Sequence, residues 1–203
     1  MMRSNRGLLI VFTGPSGSGK GTIVKELLSR YDDIVLSVSM TTRKPRPGEI
    51  DGFHYYFVTR EEFEQAIAED AFLEYAEYNG NYYGTPIAPI EKLLSEGKNV
   101  ILEIEVKGAE KVMDKCPDIV SIFVDIPSME ELERRLRGRG TETDDVICGR
   151  MNAAKYELSR MFRYQYVVLN DEVSAACDRI NTIINAEHMR YFRVKNNNNL
   201  EVD

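Results

Sequence analysis

The sequence predicts an α/β fold of three layers, α/β/α, around a parallel core sheet. Three observations support this. An apolar strand, a glycine-rich loop, a helix and a second strand follow one another at the start of the chain. Helices and strands alternate again after residue 86, and the stretch between carries an aromatic, partly antiparallel pattern. With 203 residues, 43% apolar and 29% charged, the chain has the make-up of an ordinary globular domain. No run approaches the roughly 18 apolar residues of a membrane span, and the stretch Leu8 to Thr13 is too short for a secretory signal. A cytoplasmic protein with no membrane partner is therefore expected. Cys116, Cys148 and Cys177 are odd in number and form no CxxC pair, which argues against a disulfide framework and a zinc site. A net charge of −7 and a pI near 5.1 disfavour nucleic acid as a partner. A local cluster of arginines can still hold a small phosphorylated ligand.

Taken in order, Leu8 to Phe12 reads as a buried strand, and Ile23, Val24, Leu27 and Leu28 share one face of a helix over Thr22 to Tyr31. Ile34 to Val38 is the second strand. Residues 39–85 break the rhythm with Pro45, Pro47 and Gly48 and two aromatic stretches around a short helix at about 60–69, which Thr59 and Glu62 open as a capping box. A helix near Ile87 to Glu96, a strand Asn99 to Glu105, a helix near Lys107 to Cys116 and a strand Ile119 to Asp125 follow. Ser128 and Glu131 form a second capping box, for a helix reaching Arg137. Gly138 to Thr141 reads as a loop or hinge, Asp144 to Phe162 as a basic helix, Tyr166 to Leu169 as the last strand and Glu172 to Arg190 as the last helix. The low-complexity tail, residues 193–203, is expected to be disordered.

Gly14, Pro15, Ser16, Gly17, Ser18, Gly19 and Lys20 fit the phosphate-binding pattern GxxxxGK, between an apolar strand and a helix start. This makes the expected fold a P-loop α/β/α domain. In such a loop, glycines let backbone N–H groups converge on a phosphate, the helix N-terminus adds positive charge and the lysine reaches the β- and γ-phosphates. Gly21 stands where the pattern has a Ser or Thr to hold Mg²⁺, and Thr22 follows one place later. The ion is therefore expected to rest mainly on phosphates and water. An acceptor site is suggested by Arg43 and Arg46, whose forks match phosphate oxygens. Tyr55 and the run Tyr82-Tyr83-Gly84-Thr85 add hydroxyls. Glu103 and Glu105 fall on one face at the carboxyl end of a parallel strand, where ligand crevices form.

The segments GPSGSGKGT, SVSMTTRKPRPGE, FLEYAEYNGNYYGT, ILEIEVKGA and RLRGRGTET stand in the order and spacing of the guanylate kinases, a family this sequence resembles over about residues 7–190. The resemblance implies one domain over 6–192, with the core at about 6–38, 86–136 and 164–192. A mixed α/β GMP-binding lobe would occupy about 39–85, and a helical lid about 137–163. It also implies transfer of the γ-phosphoryl of ATP to GMP and dGMP, with Mg²⁺, within purine metabolism and GMP recycling. ATP would be held by residues 14–22 with Arg135, Arg139 and Asn170. Arg43, Arg46, Tyr55 and Tyr83 would hold the GMP phosphate, while Ser39, Glu74 and Thr85 read guanine. Glu103, Glu105 and Arg150 complete the GMP set, and Thr22 and Glu105 would meet Mg²⁺ through water. The family commonly has Asp where Glu105 stands. Lys20, Arg43, Arg135, Arg139 and Arg150 form the catalytic set, the last three from a closing lid; Arg134 and Arg137 read as solvated, and His54 and His188 as non-catalytic.

Guanine offers adjacent N1–H and N2–H donors to one carboxylate, whereas adenine opposes it with an acceptor at N1. Two rivals remain at this point. One is a related P-loop kinase with another acceptor, which would not need Ser39, Glu74 and Thr85. The other is a guanylate-kinase-like peptide-binding module, for which a degraded phosphate loop would be expected.

Overall fold

The computed structural model describes residues 6–138 and 143–198, and the side chains of 195–198 are excepted. Its first sheet is all parallel, in the order β2-β7-β1-β8-β9. The strand β1 (Leu9–Thr13) is at its centre and is followed by helix α1 (Lys20–Arg30) and β2 (Ile34–Leu36). The excursion that follows builds β3 (Met40–Thr41), β4 (Tyr56–Phe57), α2 (Arg60–Ala68), β5 (Phe72–Tyr78) and β6 (Asn81–Pro86). The chain then returns through α3 (Ile87–Ser95), β7 (Asn99–Glu103), α4 (Val106–Lys115), β8 (Val120–Asp125), α5 (Met129–Arg137) and α6 (Asp144–Ser159). A 3₁₀ turn (Met161–Arg163), β9 (Tyr166–Leu169), α7 (Val173–His188) and α8 (Tyr191–Asn198) complete it.

The sheet is apolar on both faces because helices cover both, as parallel sheets require. On one face, Ile23, Val24 and Leu27 of α1 and Ala176, Cys177, Ile180 and Ile184 of α7 pack on Ile10, Phe12 and Ile122. On the other, α3 and α4 bury Ile90, Leu94, Ala109 and Val112 against Val11, Leu102 and Phe123. The expected three-layer parallel fold is the one observed. All five strands point the same way, so the loops after β1, β7, β8 and β9 gather at one edge, the edge where α/β sheets bind ligands.

The excursion forms its own four-stranded sheet, β4-β3-β6-β5, with β3 and β4 parallel and β6 antiparallel to β3 and β5. Thr59 caps α2, accepting from the Glu62 amide while the Glu62 carboxylate accepts from Thr59 N–H at 2.7 Å. At α5 only half of the expected capping box forms. Ser128 Oγ accepts from Glu131 N–H, but the Glu131 carboxylate is taken by Arg134 and Arg135. Two further expectations are corrected. The third core strand stops at Glu103, not Glu105, because Glu105 is already the N-cap of α4, its carbonyl accepting from Ala109 N–H at 2.8 Å. The tail expected to be disordered over 193–203 is helical to Asn198, and residues 199–203 lie outside the described residues. Arg193 anchors α8, donating to Asp118 O at 2.7 Å and to the buried Glu187 carboxylate at 3.2 Å.

Candidate active site

The glycine loop joins β1 to α1 at the centre of the ligand edge. Gly19, the N-cap of α1, has φ +89° and offers no side-chain cap, so the first N–H groups of the helix are left for an incoming anion. A side chain there would be both strained and obstructed, since a Cβ would stand 2.4 Å from Asn170 Nδ2. Asn170 is 3% exposed and donates to Ser18 O at 2.7 Å, making it a strut behind the loop. Arg135 reinforces it, reaching Asn170 O at 3.0 Å and Ser18 O at 3.4 Å. Glu131 fixes that guanidinium at 2.7 Å, and hydrogen bonds from Arg134 and Arg135 hold its carboxyl down at about 2.

In front of the loop lies a cavity of about 420 Å³ lined by Gly14, Ser16, Lys20, Leu36, Ser37, Ser39, His54, Tyr55, Glu103, Ile104, Glu105 and Glu157. Core and lobe residues thus share one wall. Lys20 Nζ donates to Gly14 O at 2.6 Å and Pro15 O at 3.0 Å. Glu103 ends β7 and Glu105 follows in extended backbone, so both carboxylates reach the cavity although only one is a strand residue. Burial pushes the Glu103 carboxyl up, and the Lys20 charge counters it.

The lobe contributes two clusters. In the first, the Arg43 guanidinium lies 5.5 Å from the Tyr55 ring centre, and Tyr55 meets Tyr83 edge-on at 6.2 Å. Glu49 organises this cluster and was not singled out by sequence. Its carboxylate accepts from Arg43 Nη2 at 2.8 Å and from Arg46 N–H at 2.7 Å, which hold it down at about 2. An acid six residues after one arginine and three after another, in a proline-stiffened loop, was the available signal. Arg46 itself is exposed. In the second cluster, the buried Thr85 donates to Glu74 Oε1 at 2.7 Å. Glu74 sits where the β5–β6 register shifts between Phe72 and Tyr75, and desolvation raises its pKa. Its other oxygen packs on α4 at Gly108, where a Cβ would come within 3.2 Å.

From α6, Arg150 Nη1 donates to Ser16 Oγ at 3.0 Å. Arg134 and Arg137 pair with helix-surface acids, as expected for solvated residues. Arg139 lies outside the described residues. His54 is exposed and its Nδ1 accepts from Ile50 N–H, while His188 contacts Asn99 at the opposite end of the sheet. Thr22 is exposed in the first turn of α1 and lies outside the cavity wall. Among the described residues, no group of three or more His, Cys, Asp or Glu could hold a metal unaided. The donor set does fit an ion that arrives on nucleotide phosphates and keeps its water, as Mg²⁺ prefers. Gly21 supplies no hydroxyl, and the nearest atom to a Cβ built there is Glu103 Oε1 at 3.9 Å.

A glycine loop at the centre of a parallel sheet, with a lobe inserted opposite it, defines a P-loop kinase fold. The guanylate kinase family model matches residues 6–187. The chain is 54% identical to a guanylate kinase of Clostridium perfringens, over 96% of this chain and 90% of that protein. It is 56% identical to one of Bacillus cereus, over 95% of each. The crystal structure of guanylate kinase from Anaplasma phagocytophilum superposes with a TM-score of 0.73 at 36% identity, covering 95% of this chain and 92% of that one. The chain belongs to the guanylate kinase family.

Proposed function

We propose that this cleft transfers the γ-phosphoryl of ATP to GMP, and to dGMP, giving ADP and GDP in GMP recycling. The carrying observation is that one cavity is lined both by the phosphate loop, at Gly14, Ser16 and Lys20, and by the lobe, at Ser39 and Tyr55, with the Arg43 guanidinium against the Tyr55 ring. Phosphoryl transfer passes through a loose state with charge on the equatorial oxygens, so positioned cations suffice and no protein nucleophile is needed. Loop amides and Lys20 would take the ATP phosphates. Arg43, Arg46, Tyr55 and Tyr83 would take the GMP phosphate. Ser39, Thr85 and Glu74 would read guanine, the Thr85 bond turning one Glu74 oxygen so that the carboxylate faces N1–H and N2–H. Glu103 and Glu105 border the gap between the two. Arg135 and Arg150 are already attached to the loop, and Arg139 would bring a third arginine to the phosphates. Mg²⁺, when bound, would supply charge neutralisation to the nucleotide phosphates. Glu105, and Thr22 beside the loop, would hold it through water.

The test is ADP release from ATP and Mg²⁺ with GMP, AMP, UMP, CMP or dTMP as acceptor. Turnover confined to the guanine nucleotide is expected. Equal turnover on AMP would overturn the base assignment, and none at all with GMP still binding would point to a binding module.

A further inference from the structure

Helix α6 turns two opposite charges toward one loop residue. Arg150 and Glu157 are seven positions apart, two turns along one helical face. Arg150 Nη1 donates to Ser16 Oγ at 3.0 Å, and Ser16 N–H donates to Glu157 Oε2 at 3.4 Å. Glu157 also lines the cavity with Glu103, Glu105 and Lys20. Three carboxylates from three elements thus border the space in front of a single lysine. Burial pushes the Glu157 carboxyl up, while the Ser16 amide and Lys20 favour its ionised form. The carboxylate occupies a backbone amide of the glycine loop, and it would face any phosphate that displaced it.

We propose that Glu157 is a specificity residue that makes the phosphate loop favour a triphosphate carrying a divalent cation over the bare triphosphate. This rests on reading the loop as a triphosphate site. A bare triphosphate enters with about four negative charges and meets the Glu157, Glu103 and Glu105 carboxylates at short range. A bound divalent cation cancels two of those charges and turns the remaining carboxylate contacts from repulsive to neutral or attractive. Arg150, delivered by the same helix, then draws α6 to the phosphates. Glu157 therefore sets a charge condition on the same docking that Arg150 promotes.

The experiment is calorimetric titration of the whole protein with ATP, once in EDTA and once in excess Mg²⁺, for wild type, Glu157→Gln and Glu157→Asp. Glu157→Gln keeps an acceptor for Ser16 N–H and removes only the charge. It should tighten binding of bare ATP by about three- to tenfold and leave the Mg²⁺ complex within about twofold. Glu157→Asp keeps the charge and should hold the wild-type ratio of the two dissociation constants. A ratio unchanged in Glu157→Gln, or weaker binding of bare ATP, would overturn the proposal while leaving the triphosphate site intact. Failure of the wild type to bind ATP in either buffer would instead remove the triphosphate reading and this proposal with it.

Discussion

Glu74→Gln is the substitution that most directly tests how the lobe would choose its base. The change is isosteric, so the fold and the Thr85 contact have no steric reason to alter. In the native site one Glu74 oxygen accepts from Thr85 at 2.7 Å, leaving the rest of the carboxylate to receive two guanine N–H donors. An amide can accept only one of them, and its NH₂ would face the other donor to donor. One charged hydrogen bond, worth about 1.5–3 kcal/mol, is lost outright, and the second loses its charge assistance. The sum is about 3–4 kcal/mol, or roughly 10²- to 10³-fold in kcat/KM for GMP. Adenine, with an acceptor at N1 and a donor at N6, complements the same amide, so discrimination against AMP should shrink by more than GMP turnover falls. A coupled assay of ADP release over a range of GMP and AMP concentrations reads both numbers. If Glu74→Gln kept kcat/KM for GMP within about threefold of wild type, the carboxylate would not be reading guanine.

Three further changes probe the supports. Lys20→Ala should cut kcat by at least about 10²-fold while circular dichroism and the melting temperature stay close to wild type, because the Lys20 ammonium meets the loop carbonyls of Gly14 and Pro15 rather than the apolar core. Asn170→Ala removes a buried bond behind Ser18 and should cost about 1–3 kcal/mol, a fall of roughly 2–10 °C in Tm by calorimetry. Glu49→Gln should raise KM for GMP and leave KM for ATP unchanged. The Glu49 carboxyl is held down at about 2 in the folded protein against an ordinary 4.5. Its stabilising effect is therefore complete above pH of about 4.5 and lost as pH falls toward about 2. The Tm difference between wild type and Glu49→Gln should close over that window.

Much of the fold was legible because its signals are local. Strand β1, the glycine loop and α1 announce themselves by an apolar run, a spacing and a helical period, and Thr59 with Glu62 gave the start of α2. The end of the third core strand was not legible, since Leu102-Glu103-Ile104-Glu105 alternates apolar and acidic with no turn residue to stop it. Only the start of α4 decides that Glu105 is a cap. Helix α8 was hidden in an asparagine-rich tail, because what orders it is the contact of Arg193 with Asp118 and Glu187, distant in sequence or buried. The site shows the same division. Lys20, Arg43 and Glu74 stand in motifs, whereas Asn170, Glu49 and Glu157 act on backbone groups or cations that only folding brings near. Asn170 was legible as a residue expected to hold ATP, but its Nδ2 bond to Ser18 O behind the loop was not.

The glutamates beside the arginines make physical sense once the transition state is considered. A free arginine loses side-chain entropy of up to about 2 kcal/mol when it clamps a phosphate. Glu49 holds Arg43, and Glu131 holds Arg135, before any ligand arrives. Each carboxylate occupies part of its guanidinium and so lowers the attraction available for a phosphate. In exchange the fork is already oriented, which matters more in a reaction whose catalysis lies in positioning. A net charge of −7 is compatible with a phosphate enzyme for the same reason. The acids do not repel the substrate as a diffuse field; several are spent locally on fixing the cations that meet it, and Glu103, Glu105 and Glu157 line the gap where a divalent ion would arrive with the nucleotide.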